Sequence, residues 1–189
     1  MDIYVKRETV AVAEEYIMAN VQRYVEGVIR RISVIVPSAV TVEIGDLMFI
    51  NNTDDLRYDG SSTADNYAYP LEYLRASGAS LELNKREAKS RFIGVATDCK
   101  NGIDNDSNER KISIAISGKF NFDLKPAKTV YPGNRVAPSG TSSASNMFNQ
   151  KVAKTSDGSI TIGTFAEHKV HALNAELEIR SFLDSRGIL

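Results

Sequence analysis

The sequence has almost none of the residues that small proteins use as covalent or metal staples. Cys99 is its one cysteine, so no intrachain disulfide forms and no Cys-x-x-Cys metal site exists. Tryptophan is absent, and His168 and His171 are the only histidines. Neither charge sign dominates: 23 Lys and Arg against 24 Asp and Glu leave a formal net charge of −1. That balance excludes a basic nucleic-acid footprint over the whole chain. No apolar run approaches the roughly 18 residues of a transmembrane helix. The N-terminus has no basic stretch followed by an apolar one, so no membrane or secretory signal is expected, and the expected compartment is a cytoplasm until assembly. At 189 residues the chain can bury roughly 70% of the surface its unfolded form exposes, and it needs no staples.

Catalytic signatures are scarce as well. There is no G-x-S-x-G elbow, no Walker A loop and no Rossmann glycine pattern. Asp104-Asn-Asp106-Ser-Asn108-Glu109 begins like a calcium loop. However, Glu109 stands where the sharp-turn glycine belongs and Ala115 where the closing glutamate belongs, so it reads as a solvated loop. His168 and His171 are three residues apart, and in a strand Glu167 points away from His168, so both read as surface or packing histidines. Cys99 sits between Asp98 and Lys100 with no base assigned to it and reads as incidental. Arg23, Arg30 and Arg31 read as a solvated helix face. The expectation is a non-enzyme with no metal and no cofactor.

Two patterns organise the chain. From Ala13, the apolar residues Ile17, Val21, Tyr24, Val25, Val28, Ile29 and Ile32 recur at spacings of three and four. This predicts an amphipathic helix with Thr9 as N-cap, although the many β-branched residues leave an extended arm as the alternative. Before it, Met1 to Glu8 reads as a first strand, a frayed terminus, or an arm docking on a neighbouring subunit. After Pro37 the period changes to two. Val40, Val42 and Ile44 alternate with polar residues, Gly45-Asp46 marks a turn, and Leu47 and Phe49 resume on the other parity. Residues 51–66 read as an exposed loop, Tyr67 to Leu74 as packing aromatics, and Phe92 to Thr97 as a short apolar strand. Ile112, Ile114, Ile116, Phe120, Phe122 and Leu124 keep one parity for thirteen residues, with a bend expected at Gly118. Residues 126–138 read as turns and Ser139 to Ser145 as a loop, and Asp157-Gly158 is expected to close a hairpin. Leu173, Ala175, Leu177 and Ile179 form the last alternation. Val42-Glu-Ile-Gly45-Asp46-Leu-Met48 and Val130-Tyr-Pro-Gly133-Asn134-Arg-Val136 share a seven-residue layout too short to establish a repeat.

The expected fold is mainly β: a compact antiparallel β-barrel or sandwich with an N-terminal arm and one helix. Residues 1–37 form the arm and helix, and residues 38–189 the β-rich domain.

The succession Val42-Glu-Ile-Gly-Asp-Leu-Met-Phe49, Phe92-Ile-Gly-Val-Ala96, Ile112 to Leu124 and Val130-Tyr-Pro-Gly-Asn-Arg-Val136 resembles the capsid decoration, or cement, proteins of tailed bacteriophages. The resemblance runs from about Val40 to Phe182. The long segment before Val40 and the stretches 51–66 and 81–91 depart from the family pattern. The resemblance implies a β-rich domain on the outer face of the virion capsid, a homotrimer, and the major capsid protein as partner, with no direct nucleic-acid or membrane contact. It carries no catalytic residues. The subunit or shell contacts expected here are Ile3, Tyr4 and Val5 of the arm and Ile17, Val21 and Tyr24 of the helix. A head fibre or tail-tube subunit, and a ligand-binding barrel or enzyme, are the competing readings.

Overall fold

The alternation that dominates the sequence becomes the central strand of the protein. A computed structural model describes residues 24–50, 67–74, 80–101, 110–141 and 146–181, with residues 24–29 and 110 as backbone alone. Among these residues the chain forms β1 (Tyr24–Val36), β2 (Leu47–Ile50), β3 (Ala68–Pro70), α1 (Leu81–Arg91), β4 (Phe92–Ala96), β5 (Arg110–Val130), β6 (Arg135–Thr141), β7 (Asn146–Thr155), β8 (Gly163–Phe165) and β9 (Lys169–Arg180). β5 is paired on both edges. β1 runs along one edge as far as Phe120, where β7 takes over in the parallel sense; β4 and then β9 occupy the other edge. Strands β5, β7, β6, β8 and β9 close into a five-stranded barrel, and β1, β4, β2 and β3 extend the sheet outside it. Closure removes exposed strand edges from the barrel.

The even-numbered face of β5 is buried from Ile112 to Leu124, but against two different cores. Ile112 and Ile114 pack with Val36, Val42, Met48 and Ile93 in the outer sheet. Phe120, Phe122 and Leu124 pack with Val136, Val152, Phe165 and Leu177 inside the barrel. Ala115, on the opposite face from Ile114, already belongs to the barrel core. Gly118, at φ 141°, lies between the two sets, so the strand rolls there and one parity serves both cores. Each fully buried Ile or Phe contributes roughly 1.5–3 kcal/mol, which strongly specifies the register of this strand.

Four expectations are corrected. Tyr24 to Ile32 is not helical: it is the first part of β1, paired with β5 through register shifts between Tyr24 and Glu26, Glu26 and Arg30, and Arg30 and Arg31. Those irregularities break the two-residue period and leave apolar spacings that mimic a helix. Residues 1–23 of the expected 1–37 segment lie outside the described residues. The α-helix is instead Leu81–Arg91. Ser80 caps it by accepting the Leu83 N–H at 3.2 Å, the ion pairs Glu82–Lys85 and Glu87–Arg91 support it, and Ala88 buries in the barrel core. Residues expected as turn and loop continue β5 to Val130 and build β6, in which Val136 to Ser139 are buried. Finally, Leu173 points outward, because the β5–β9 register shifts beyond the Asp123–Asn174 pair and His171 adopts a left-handed φ of 48°.

The short sequence echo is the visible part of a repeated plan. In both turns a glycine at positive φ (Gly45 at 95°, Gly133 at 82°) occupies the third position, as a type II turn requires. The hydrogen bonds match one for one. Asp46 N donates to Glu43 O at 3.1 Å, and Asn134 N to Tyr131 O at 3.0 Å. Asp46 Oδ2 accepts from Glu43 N at 2.8 Å, and Asn134 Oδ1 from Tyr131 N at 3.2 Å. Gly45 N donates to Ala96 O and Ala96 N to Asp46 O, just as Gly133 N donates to Phe165 O and Phe165 N to Asn134 O. The correspondence extends outward: Met48 faces Gly94 as Val136 faces Gly163, and Val95 faces Ala115 as Thr164 faces Glu178. A side chain at Gly94 would run into the Ala115 carbonyl, and one at Gly163 into the Glu178 carbonyl. The strand orders β3-β2-β4-β5 and β7-β6-β8-β9 are therefore one plan used twice. In this correspondence Ser117 matches Arg180, and these two residues face each other across the β5–β9 ladder, which is where a local two-fold axis would pass.

Candidate contact surface

Of the expected contact residues, Ile3, Tyr4, Val5, Ile17 and Val21 lie outside the described residues. Tyr24 opens β1 opposite Phe120 in the backbone register. The Asp104–Glu109 loop also lies outside them. Among the described residues no group of three or more His, Cys, Asp or Glu could hold a metal ion, and no helix is long and apolar enough to cross a membrane. Cys99 is exposed, with its backbone N–H bonded to Asp98 Oδ1 at 2.9 Å. His168 stacks flat on Tyr131, with ring centroids 4.7 Å apart. Of the expected packing aromatics, Tyr69 stacks on Phe49, while Tyr73 is exposed.

The structure gathers exposed apolar groups elsewhere. The change of parity in β9 turns Leu173 out to 75% exposure and Val170 to 62%. Beside Leu173 is a shallow hollow of about 340 Å³, lined by Asp123, Leu124, Lys125, Lys151 and Asn174. The ammonium groups of Lys125 and Lys151 lie 4.7 and 5.4 Å from the centre of the Phe148 ring. On Phe148 begins a second hollow of about 620 Å³, shared with Glu72, Tyr73, Thr141, Asn146 and Met147. Tyr73 and Phe148 thus line one hollow and Leu173 and the two lysines the other, with the lysine ammonium groups over the Phe148 ring connecting them. Exposed apolar groups rimmed by charge are characteristic of a surface that meets another protein. Sequence reasoning missed this surface because Leu173 reads as an inward residue of an unbroken alternation.

One buried charge locks the scaffold behind it. Asp46 is 2% exposed, and its carboxylate accepts from Glu43 N at 2.8 Å and from Gln150 Nε2 at 3.0 Å, joining the first turn to β7. Gln150 Nε2 also donates to Glu43 Oε2 at 3.3 Å, and Glu72 N donates to Asn149 Oδ1 at 2.8 Å. Burial pushes the Asp46 carboxyl from its ordinary value near 3.8 up to about 6, with Glu43 and Glu72 adding to the rise and the two hydrogen bonds opposing it. Lys100, also buried, donates from Nζ to Ser38 O at 2.6 Å and Val40 O at 2.9 Å, fastening the turn after β1. The bonds of Asp46 and Glu43 to Gln150, and of Glu72 to Asn149, tie the outer strands to β7 of the barrel.

Compared with known proteins, the chain matches no protein-family model and no curated sequence.

Proposed function

We propose that this chain is a structural virion component, a capsid decoration protein of a tailed bacteriophage that stabilises the head by bridging major capsid subunits from outside. In this reading it acts as a homotrimer, has no catalytic role, and touches neither DNA nor membrane. The observation that carries the reading is the placement of the segments bearing the family resemblance. The Gly45-Asp46 turn with β2, the strand β4, and β5 are consecutive neighbours in one sheet, and the fourth segment repeats the first turn bond for bond. The segments that carry the resemblance are thus connected neighbours in this fold.

The physics of the role is multivalency. Several modest contacts presented by one rigid oligomer give strong retention without a single tight site. The Tyr73–Phe148–Leu173 surface is the part of the described molecule suited to supply such contacts. Co-sedimentation of the purified full-length chain with undecorated heads, assembled from the major capsid protein of its source phage, tests the proposal. Saturable pelleting with the heads is expected. A chain that stays in the supernatant at every concentration overturns it.

A further inference from the structure

The repeated plan leaves one place filled in the first repeat and open in the second. In the first repeat, the space between the turn and the end of β3 receives Asn149 and Gln150 from β7, which bond to Glu72, Glu43 and Asp46. Pairing of Met48 with Pro70 and of Val136 with Lys154 makes residues 154–156 the counterpart of 70–72. In the second repeat the corresponding place is an open groove of about 680 Å³ lined by Gly133, Asn134, Arg135, Lys154, Thr155 and Ser156, with Lys128 and Thr129 of β5 along its border.

The charge of the two places is opposite. The filled one presents the carboxyl groups of Glu43 and Asp46 to an amide donor. The open one presents Lys128, Arg135 and Lys154 and no carboxylate. Two of these cations are held in position by backbone carbonyls: Arg135 Nη1 donates to Ser156 O at 3.1 Å, and Lys154 Nζ to Thr129 O at 3.2 Å. Among the described residues none of the three forms an ion pair with a carboxylate. Asp157, next in sequence to the lining, gives its own carboxylate to the Ser159 N–H at 2.7 Å.

We propose that this groove docks an extended, carboxylate-bearing segment of a protein partner, taking in the second repeat the place that β7 takes in the first. An open groove suits an extended chain better than a small molecule, which sites normally enclose over most of its surface. Nucleic acid is disfavoured because its single strands need free aromatic faces to stack on. Tyr131, the aromatic beside the groove, is already stacked on His168, with Lys154 5.7 Å from its ring centre. The inference stands on the groove's own charges and does not depend on the decoration reading.

The test is an amide-resolved NMR titration of the full-length chain with a short polyglutamate peptide, inorganic phosphate and a thymidine oligonucleotide. Polyglutamate is expected to shift the amides of residues 128–135 and 154–156 in a salt-sensitive way. Lys128→Glu is expected to weaken it by about tenfold without moving the thermal midpoint. Lys154→Gln is the second variant, should the first fail to fold. No shift in these segments, equal binding by phosphate, tighter binding by the oligonucleotide, or polyglutamate binding that both variants leave unchanged would each overturn the proposal.

Discussion

Replacing Asp46 with Asn is expected to stabilise the protein at neutral pH and to remove a pH dependence that acts in the unusual direction. The folded carboxyl holds its proton up to about 6, whereas the ordinary value is near 3.8. Its contribution is therefore complete below the unfolded value and is lost as pH rises through the folded one. At roughly 1.4 kcal/mol per pH unit, the loss across that window is roughly 3 kcal/mol. Asparagine cannot ionise, and Asn134 already performs the same bond in the second turn, accepting from Tyr131 N. The cost falls on Gln150, which must turn its amide to present oxygen and give up its 3.3 Å bond to Glu43. One such bond is worth about 1 kcal/mol, so the net gain at pH well above 6 is about 2 kcal/mol. Urea unfolding of both proteins across the acid-to-neutral range measures it. The stability difference should grow steadily in favour of Asp46→Asn as pH rises. A difference that does not vary with pH, or a variant less stable at neutral pH, would refute the assignment of a buried, proton-retaining carboxyl.

Other substitutions follow from the repeated plan and its supports. Gly94→Ala and Gly163→Ala each push a methyl into a facing carbonyl and should cost more than about 3 kcal/mol in a chemical melt. Gly133→Ala, with open space around it, should lose only the roughly 1–2 kcal/mol of a left-handed residue. Lys100→Met takes this donor from the buried Val40 carbonyl and the half-buried Ser38 carbonyl and should cost about 2–3 kcal/mol by the same assay. For Glu167, partial burial raises the carboxyl, but Lys169 and the Glu176 N–H outweigh it and hold the carboxyl below its ordinary range. Its contribution is thus present above the unfolded value and lost on acidification. Glu167→Gln should flatten that part of the acid-side decline in stability.

The sequence carried the fold where one physical rule acted alone. β5 was legible because a half-buried strand must alternate, and β4 because a short, wholly buried strand reads as an apolar run. Legibility failed where two demands overlapped. β1 follows three register shifts, so its Val and Ile spacing resembles a helix. β6 contains Pro138, Ser139 and Gly140, which read as loop, yet Gly140 is required where the Asn146 backbone and Leu81 close in. Leu173 broke parity at an irregularity marked by no glycine or other turn signal. The helix Leu81–Arg91 carried a readable cap at Ser80 and charge pairs at helical spacing, but its low apolar content disguised it. The repeat was visible in only seven residues, because what is repeated is backbone bonding, to which most side chains are indifferent. The Tyr73–Leu173 surface draws on four separate segments and has no signature in any one of them.

The most direct test of a cement role is mechanical. DNA-filled heads of the phage that the proposed function implies, prepared without this chain and then saturated with it, can be heated while DNA release is followed with a dye. If the protein bridges capsid subunits, release shifts to higher temperature, and Leu173→Asp, which leaves the protein's own melting unchanged, reduces the shift. If the chain binds the heads and the release temperature does not move, the proposed function is contradicted.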